Sequence, residues 1–151
     1  MANFIHPLSD VQSKAIGEGT RVWQYVVILP EARIGRDCNV CSHCFIENDV
    51  VIGDRVTVKP MVAICDGVTI GDGAFIGPHV SFTNDRHPKS GNRGFKLERT
   101  TVKKGATIGA GSMVMAGITV GEGALAAAGS VITHDVAPGA RVFGCPAHER
   151  T

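Results

Sequence analysis

No apolar stretch in this chain is long enough to span a bilayer, and its first residues lack the apolar core of a secretion signal. Charge of either sign is not in excess. Fifteen Lys and Arg stand against fourteen Asp and Glu, net +1, so the composition gives no electrostatic case for nucleic acid or an acidic membrane as partner. Cysteines number five, an odd count that does not make a disulfide framework and that reads as reduced thiols in a cytoplasmic protein. Aromatic residues make up only 5% of the chain, against 19 glycines, a balance that suits β coils with tight corners. At 151 residues the length fits one domain with room for a core.

What the chain does have is a beat of six. Ile16, Val22, Ile28, Ile34, Val40, Ile46, Ile52, Val58, Ile64, Ile70, Ile76 and Phe82 recur at that interval without a miss. The beat restarts at Val102 and runs through Ile108, Val114, Val120, Ala126 and Ile132. This is neither the helical period of 3.6 nor simple strand alternation. It is the mark of a solenoid in which short flat strands stack into a parallel β-helix. A second inward position lies four residues after each apolar one, at small or aliphatic residues such as Val26, Ala32, Cys38, Cys44 and Val50. Glycine often follows the apolar residue directly, as at Gly17, Gly35, Gly53, Gly71, Gly77, Gly109 and Gly121, where a corner needs a residue without Cβ. Three hexapeptides make one coil of 18 residues, with coils beginning near Ile16, Ile34, Ile52, Ile70, Val102 and Val120.

One break interrupts the beat. Phe82 to Val102 is 20 residues where six are expected, so a loop of 14 leaves the prism, over roughly residues 85–100. Long loops in compact folds are usually functional. Its basic residues Arg86, Lys89, Arg93, Lys96 and Arg99 suit a phosphate-bearing ligand, and they equally suit a solvated surface loop. The expected organisation is a single domain with an N-terminal cap at 1–15, coils at 16–137 and a C-terminal cap at 138–151. The apolar outer faces near Trp23, Tyr25 and Val27 call for cover by closed assembly, and a trimer is expected.

Stacked coils put equivalent residues ~4.8 Å apart, so the register predicts columns of side chains. Pro30, Asn48, Asp66 and Asn84 form one, which Ala116 and His134 continue if the loop does not rotate the faces. A carboxylate at Asp66 beside an amide at Asn84, at the foot of the long loop, is the best polar constellation in the chain. The alternative is an Asn/Asp ladder that satisfies itself. Tyr25, His43, Met61 and His79 form a second column. Its two histidines lie about 9.5 Å apart by the same spacing, too far to share a metal within one chain. Cys38, Cys41 and Cys44 are spaced like metal ligands, but the register sends them in different directions, and buried thiols filling core sites are expected.

On these hexapeptides the chain resembles the left-handed β-helix acyltransferases. The segments AICDGVTIGDGAFIGPHVSFTNDRHPKS (63–90) and TVKKGATIGAGSMVMAGITVGEGALAAAGSVITHDVAPGARVFGCPA (101–147) carry the closer likeness. They look like N-acetyltransferases acting on dTDP- or UDP-linked 3-amino sugars. That resemblance implies the left-handed coil and a homotrimer whose active sites lie between subunits. Acetyl-CoA would run along the coils near Ala116, Gly117, Ala128 and His134. The nucleotide-linked amino sugar would meet Asp85, Arg86, His79 and Lys89, with Asn84 and Asp66 as the catalytic pair. The product would feed a bacterial surface glycan such as O-antigen lipopolysaccharide, and no metal is required. Two alternatives remain. One is a zinc hydratase similar to the γ-class carbonic anhydrases, with His43, His79 and His87 meeting across a trimer interface. The other is a non-catalytic trimeric scaffold.

N-acetyl transfer needs a neutral amine, a thioester held in line, and donors for the tetrahedral oxyanion. Asp66 is suited to hold the sugar ammonium and accept its proton, and Asn84 to orient the amine. His134, the conventional base of other acyltransferases on this scaffold, lies two coils from Asn84.

Overall fold

A computed structural model describes residues 1–149. Every strand is two or three residues long. The strands stack into three sheets, which among the described residues have nine, seven and six strands. Within the coils all pairing is parallel, and successive coils pair at an interval of 18, as in Ile46 with Ile64. The six-stranded sheet ends its strands at Ile16, Ile34, Ile52, Ile70, Val102 and Val120, the positions expected to open each coil.

The core follows the two inward positions. Val22, Ile28, Val40, Ile46, Ile64, Ile76 and Ile108 are fully buried, and so are Val26, Ala32, Val56, Val80 and Ala106 from the second set. Each fully buried Val or Ile contributes about 1.5–3 kcal/mol. The buried hydroxyls of this set are satisfied by carbonyls: Thr20 Oγ1 donates to Gly35 O (2.8 Å), and Ser130 Oγ to Ala127 O (2.6 Å).

The glycines after the inward residue are needed for a reason other than backbone freedom. Their φ angles are not positive; instead the next coil passes directly beneath. A Cβ at Gly77 would stand 2.6 Å from the backbone nitrogen of Ala110, and one at Gly71 2.6 Å from that of Lys104. Left-handed φ falls two residues later, at the corners. Before the long loop that position holds Tyr25, Asp37, His43, Arg55, Met61 and His79 as well as Gly19, Gly67 and Gly73; after the loop every described residue with left-handed φ is glycine.

The loop leaves at the corner between the seven- and six-stranded sheets, after Ser81–Phe82, and the chain re-enters at Thr100–Val102. Pairing resumes with Val68 opposite Thr100 and Phe82 opposite Val114, an offset of 32, which is the coil of 18 plus the insert of 14. The faces are therefore not rotated. Residues 1–15 carry strands that join the sheets, with their side chains mostly exposed at the open end of the prism. Beyond Gly139 the beat is lost in the sequence, yet Arg141–Phe143 extends the nine-stranded sheet. Val136 bridges Val120 and Val142 lies opposite Ala126, so this last coil is two residues short. Residues 150 and 151 of the expected C-terminal cap lie outside the described residues.

Cys38 and Cys44 are buried, and their thiols donate to the carbonyls of Gly53 (3.0 Å) and Lys59 (3.2 Å). Burial pushes the Cys38 thiol up and that of Cys44 to about 11. A raised value means that little thiolate exists near pH 8, and the thiolate is the reactive form. Iodoacetamide at pH 8 should therefore label the exposed Cys145 in folded protein and spare Cys38 and Cys44 until denaturant is added. Peptide mass spectrometry reads this directly, and equal labelling of Cys44 and Cys145 would contradict the packing.

Candidate active site

The unrotated faces stack Asn48, Asp66, Asn84, Ala116 and His134 on one edge of the prism, where the seven-stranded sheet turns into the six-stranded one. Asp66 and Asn84 are neighbours: Asn84 Nδ2 donates to the Asp66 backbone carbonyl at 3.2 Å. The Asp66 carboxylate itself is turned toward the preceding coil, where Oδ1 accepts the N–H of Asp49 at 2.8 Å. Asn48 does the same for the N–H of Glu31 (3.2 Å). Asp66 thus takes part in a ladder along this edge through Oδ1, and its second carboxylate oxygen has no hydrogen-bond partner among the described residues. Glu47, which the sequence pattern did not single out, accepts the N–H of Asp66 through Oε2 at 2.7 Å. It adds a second carboxylate beside the pair.

The base of the long loop is fastened to this edge. Arg86 donates through Nε (3.2 Å) and Nη2 (2.9 Å) to the carbonyl of Ala116, and its Nε lies 2.9 Å from Glu98 Oε2. Arg99 pairs with Asp49 at 2.7 Å, and the Glu98 N–H donates to Asn84 O at 3.2 Å. Leu97 packs over Gly67, where a Cβ would stand 3.1 Å from it. Two of the five basic residues expected to meet phosphate, Arg86 and Arg99, are therefore engaged in holding the loop. Lys89, Arg93 and Lys96 stand on its exposed outer part. Lys89 and Arg93, together with Asp85 and Phe95, line a shallow concavity inside the loop. Asp85 Oδ1 also accepts the N–H of His87 at 2.8 Å, which turns the chain outward.

Below Asn84 the edge opens into a concavity of about 500 Å³ lined by Arg86, Gly117, Ile118, Thr133, His134 and Asp135. The Ala116 carbonyl and the Gly117 N–H are already satisfied within the chain, the latter by Thr100 Oγ1 at 3.1 Å. His134 Nδ1 lies 2.9 Å from Thr133 Oγ1.

His79 and Ala128 are not on this edge. They lie where the nine-stranded sheet turns into the seven-stranded one, with Tyr25, His43 and Met61 above. The Tyr25 and His43 rings lie with centroids 4.9 Å apart and planes tilted by 46°, and Met61 separates His43 from His79. The ten expected site residues therefore divide between two edges of one prism. Among the described residues, no group of three or more His, Cys, Asp or Glu is placed to hold a metal ion. No helix among them is long and apolar enough to cross a membrane.

Comparison with known proteins agrees with this architecture. Residues 3–48 and 49–84 match the family described as bacterial transferase hexapeptide (six repeats). The chain is 53% identical over 144 residues to the dTDP-3-amino-3,6-dideoxy-alpha-D-galactopyranose 3-N-acetyltransferase of Aneurinibacillus thermoaerophilus, covering 95% of this chain and 75% of that protein. Among solved structures, a variant of the N-acyltransferase AntD from Bacillus cereus, in complex with dTDP-4-amino-4,6-dideoxyglucose and coenzyme A, superposes with a TM-score of 0.80. The alignment has 20% identity and covers 90% of this chain and 81% of that one. The acetyltransferase domain of PglB from Neisseria gonorrhoeae, in complex with acetyl coenzyme A, superposes with a TM-score of 0.72 at 24% identity, over 83% of this chain. This chain spans 55% of the length of the PglB structure.

Proposed function

The chain belongs to the bacterial transferase hexapeptide family, and from that premise we propose that it moves the acetyl group of acetyl-CoA to the 3-amino group of a dTDP- or UDP-linked amino sugar. The observation that carries this is the 53% identity to a dTDP-linked 3-amino-sugar N-acetyltransferase over nearly the whole chain. Thiol release from acetyl-CoA, followed with a chromogenic disulfide across dTDP- and UDP-linked amino sugars, tests it. Turnover with a 3-amino sugar and none with its 3-hydroxy analogue is expected. Thiol release at the same rate with both would overturn it.

Asn84 is suited to orient the amine, and the free oxygen of Asp66 to hold the ammonium before it loses its proton. Holding and aiming the ammonium are its larger contribution. The bare glycine corners at Gly111 and Gly129, on the edge of His79 and Ala128, support a long, thin acyl carrier lying close to the backbone there and facing the Gly117 corner of a neighbouring subunit. His134 at the foot of the edge is a candidate for the carrier's polar end.

The division of candidate residues between two edges supports a homotrimer, in which one subunit brings Asp66, Asn84, Ala116 and His134 and a neighbour brings His79 and Ala128. The outer surface agrees. Phe4, Trp23 and Phe75 stand exposed on the nine-stranded sheet, and Phe45 and Met113 on the seven-stranded one. The six-stranded sheet shows Arg33, Thr69, Thr101 and Thr119 instead. Sedimentation equilibrium should give three times the chain mass at micromolar concentration; a stable monomer would remove the shared site. A cytoplasmic enzyme supplying surface-glycan precursors, including those of O-antigen lipopolysaccharide, fits this substrate class.

The exposed outer part of the loop, with Lys89, Arg93 and Lys96, is suited to the nucleotide diphosphate of the sugar. Replacing residues 88–96 by a short turn, which leaves Arg86, Glu98 and Arg99 in place, should raise KM for the sugar about 10-fold or more. KM for acetyl-CoA should change less than about twofold. Equal changes in both would assign the loop elsewhere.

A further inference from the structure

We propose that Glu98 is a positioning residue, part of a latch that sets the distance between Asn84 and the coil of Ala116 and Gly117. It rests on the reading above, in which the sugar amine meets Asn84 and the acyl carrier passes Gly117. Glu98 stands at the point where three parts of the molecule meet. Its backbone N–H donates to Asn84 O (3.2 Å), which ties it to the coil that carries the amide. Its carboxylate holds Arg86 at 2.9 Å. Arg86 in turn places both Nε and Nη2 on the carbonyl of Ala116, one coil further down. A Cβ at Gly117 would stand 3.0 Å from Glu98 Oε2 and 3.3 Å from Arg86 Nη2, so the ion pair lies directly against the glycine corner.

The bonds run from Asn84 through Glu98 and Arg86 to Ala116. They cross the corner where the loop was inserted, which among the described residues is the one corner on this edge that no short turn closes. The ladder joins the two coils as far as Thr83, whose N–H donates to Val114 O at 3.0 Å, and resumes at Thr101, whose N–H donates to Ile118 O at 2.9 Å. Between those two points the side chains set how closely Asn84 and the loop base approach the Gly117 corner. Exposed ion pairs contribute little to stability, and Glu98 and Arg86 are 37% and 46% exposed at their side chains. Their effect should therefore appear in geometry rather than in resistance to unfolding. Small misplacement of reacting groups lowers turnover steeply while leaving binding nearly intact.

Steady-state kinetics and backbone amide exchange on the same set of variants test this. Glu98→Ala should lower kcat by ~10-fold or more, with KM for acetyl-CoA within about twofold and the unfolding midpoint nearly unchanged. Glu98→Gln, which keeps an acceptor for Arg86, should recover a large part of kcat. Arg86→Lys keeps the charge but not the paired donors on Ala116 O, and should behave like Glu98→Ala. The double variant Arg86→Lys with Glu98→Ala should lose little more than the worse single one. In parallel, Glu98→Ala should speed exchange at Gly117 N–H, which a local surface pair would not do. Normal kcat in Glu98→Ala, or a fall in kcat matched by an equal fall in thermal midpoint, overturns the proposal. If wild-type protein transfers acetyl to no amino sugar, the functional reading fails and the positioning role with it. The latch itself is still decided by exchange: faster at Gly117 supports it, unchanged refutes it.

Discussion

Asn84→Ala should cut turnover by ~10²-fold or more, the usual scale for a positioned polar group. The same change removes the bond from Nδ2 to Asp66 O, which is worth only about 1 kcal/mol, so the fold should survive. Asp66→Asn is the sharper companion. It keeps the Oδ1 that accepts the Asp49 N–H, so the ladder along the edge is preserved and charge alone is lost. If that charge holds the sugar ammonium, turnover should again fall by ~10²-fold, and the double variant should lose little more than the worse single one. Rates at saturating acetyl-CoA from pH 6 to 9 decide the matter. Near-normal turnover of Asp66→Asn over that range would reduce Asp66 to a ladder residue and leave proton removal to water, a histidine or the CoA sulfur.

Gly77→Ala should be among the most destabilising single-methyl changes in the chain, at about 3 kcal/mol. The added carbon would meet the Ala110 nitrogen at 2.6 Å and the Ile108 carbonyl at 2.9 Å, both backbone atoms that move only if the coils part. Gly73→Ala is the control. Nothing lies within 4 Å of a Cβ there, and the only obstacle is a φ of 65°, for a cost of about 1 kcal/mol. Chemical denaturation of both variants at one protein concentration tests the contrast. Equal losses would mean that backbone conformation, not crowding between coils, explains the glycines. Gly77 also precedes Pro78 and His79, so parting the coils there should disturb the second edge of the proposed site.

The fold was legible because each inward position repeats. Val22, Ile28 and Ile34 announce three faces, and the restart at Val102 states the length of the insert. The column of Asp66, Asn84, Ala116 and His134 followed from that arithmetic alone, as did the opposed directions of Cys38, Cys41 and Cys44. Features without a period stayed hidden. The pairs Arg86–Glu98 and Arg99–Asp49 join an aperiodic loop to periodic coils, and no spacing in the sequence foretells them. The direction of the Asp66 carboxylate depends on which N–H lies nearest, which the register does not encode. Glycine identity was legible, but its cause was not: a need for no Cβ looks alike in sequence whether backbone strain or a neighbouring coil imposes it. The short final coil escaped notice because Val136 and Val142 are out of phase by two.

The corner insertion has one more consequence. Downstream pairing restarts from Thr100 as though the preceding 14 residues were absent. The coils are thus indifferent to how many residues are spliced in at that corner, whereas a residue added inside a strand would turn that strand's inward side chains outward. The outer part of the loop, residues 88–96, is free to drift in length and composition, while its base is held by Arg86, Glu98 and Arg99 and the strands by their pairing. On the proposed reading, in which the loop meets the sugar and the coils carry the acyl donor, a loop exchanged between relatives should carry its sugar preference with it and leave KM for acetyl-CoA unchanged.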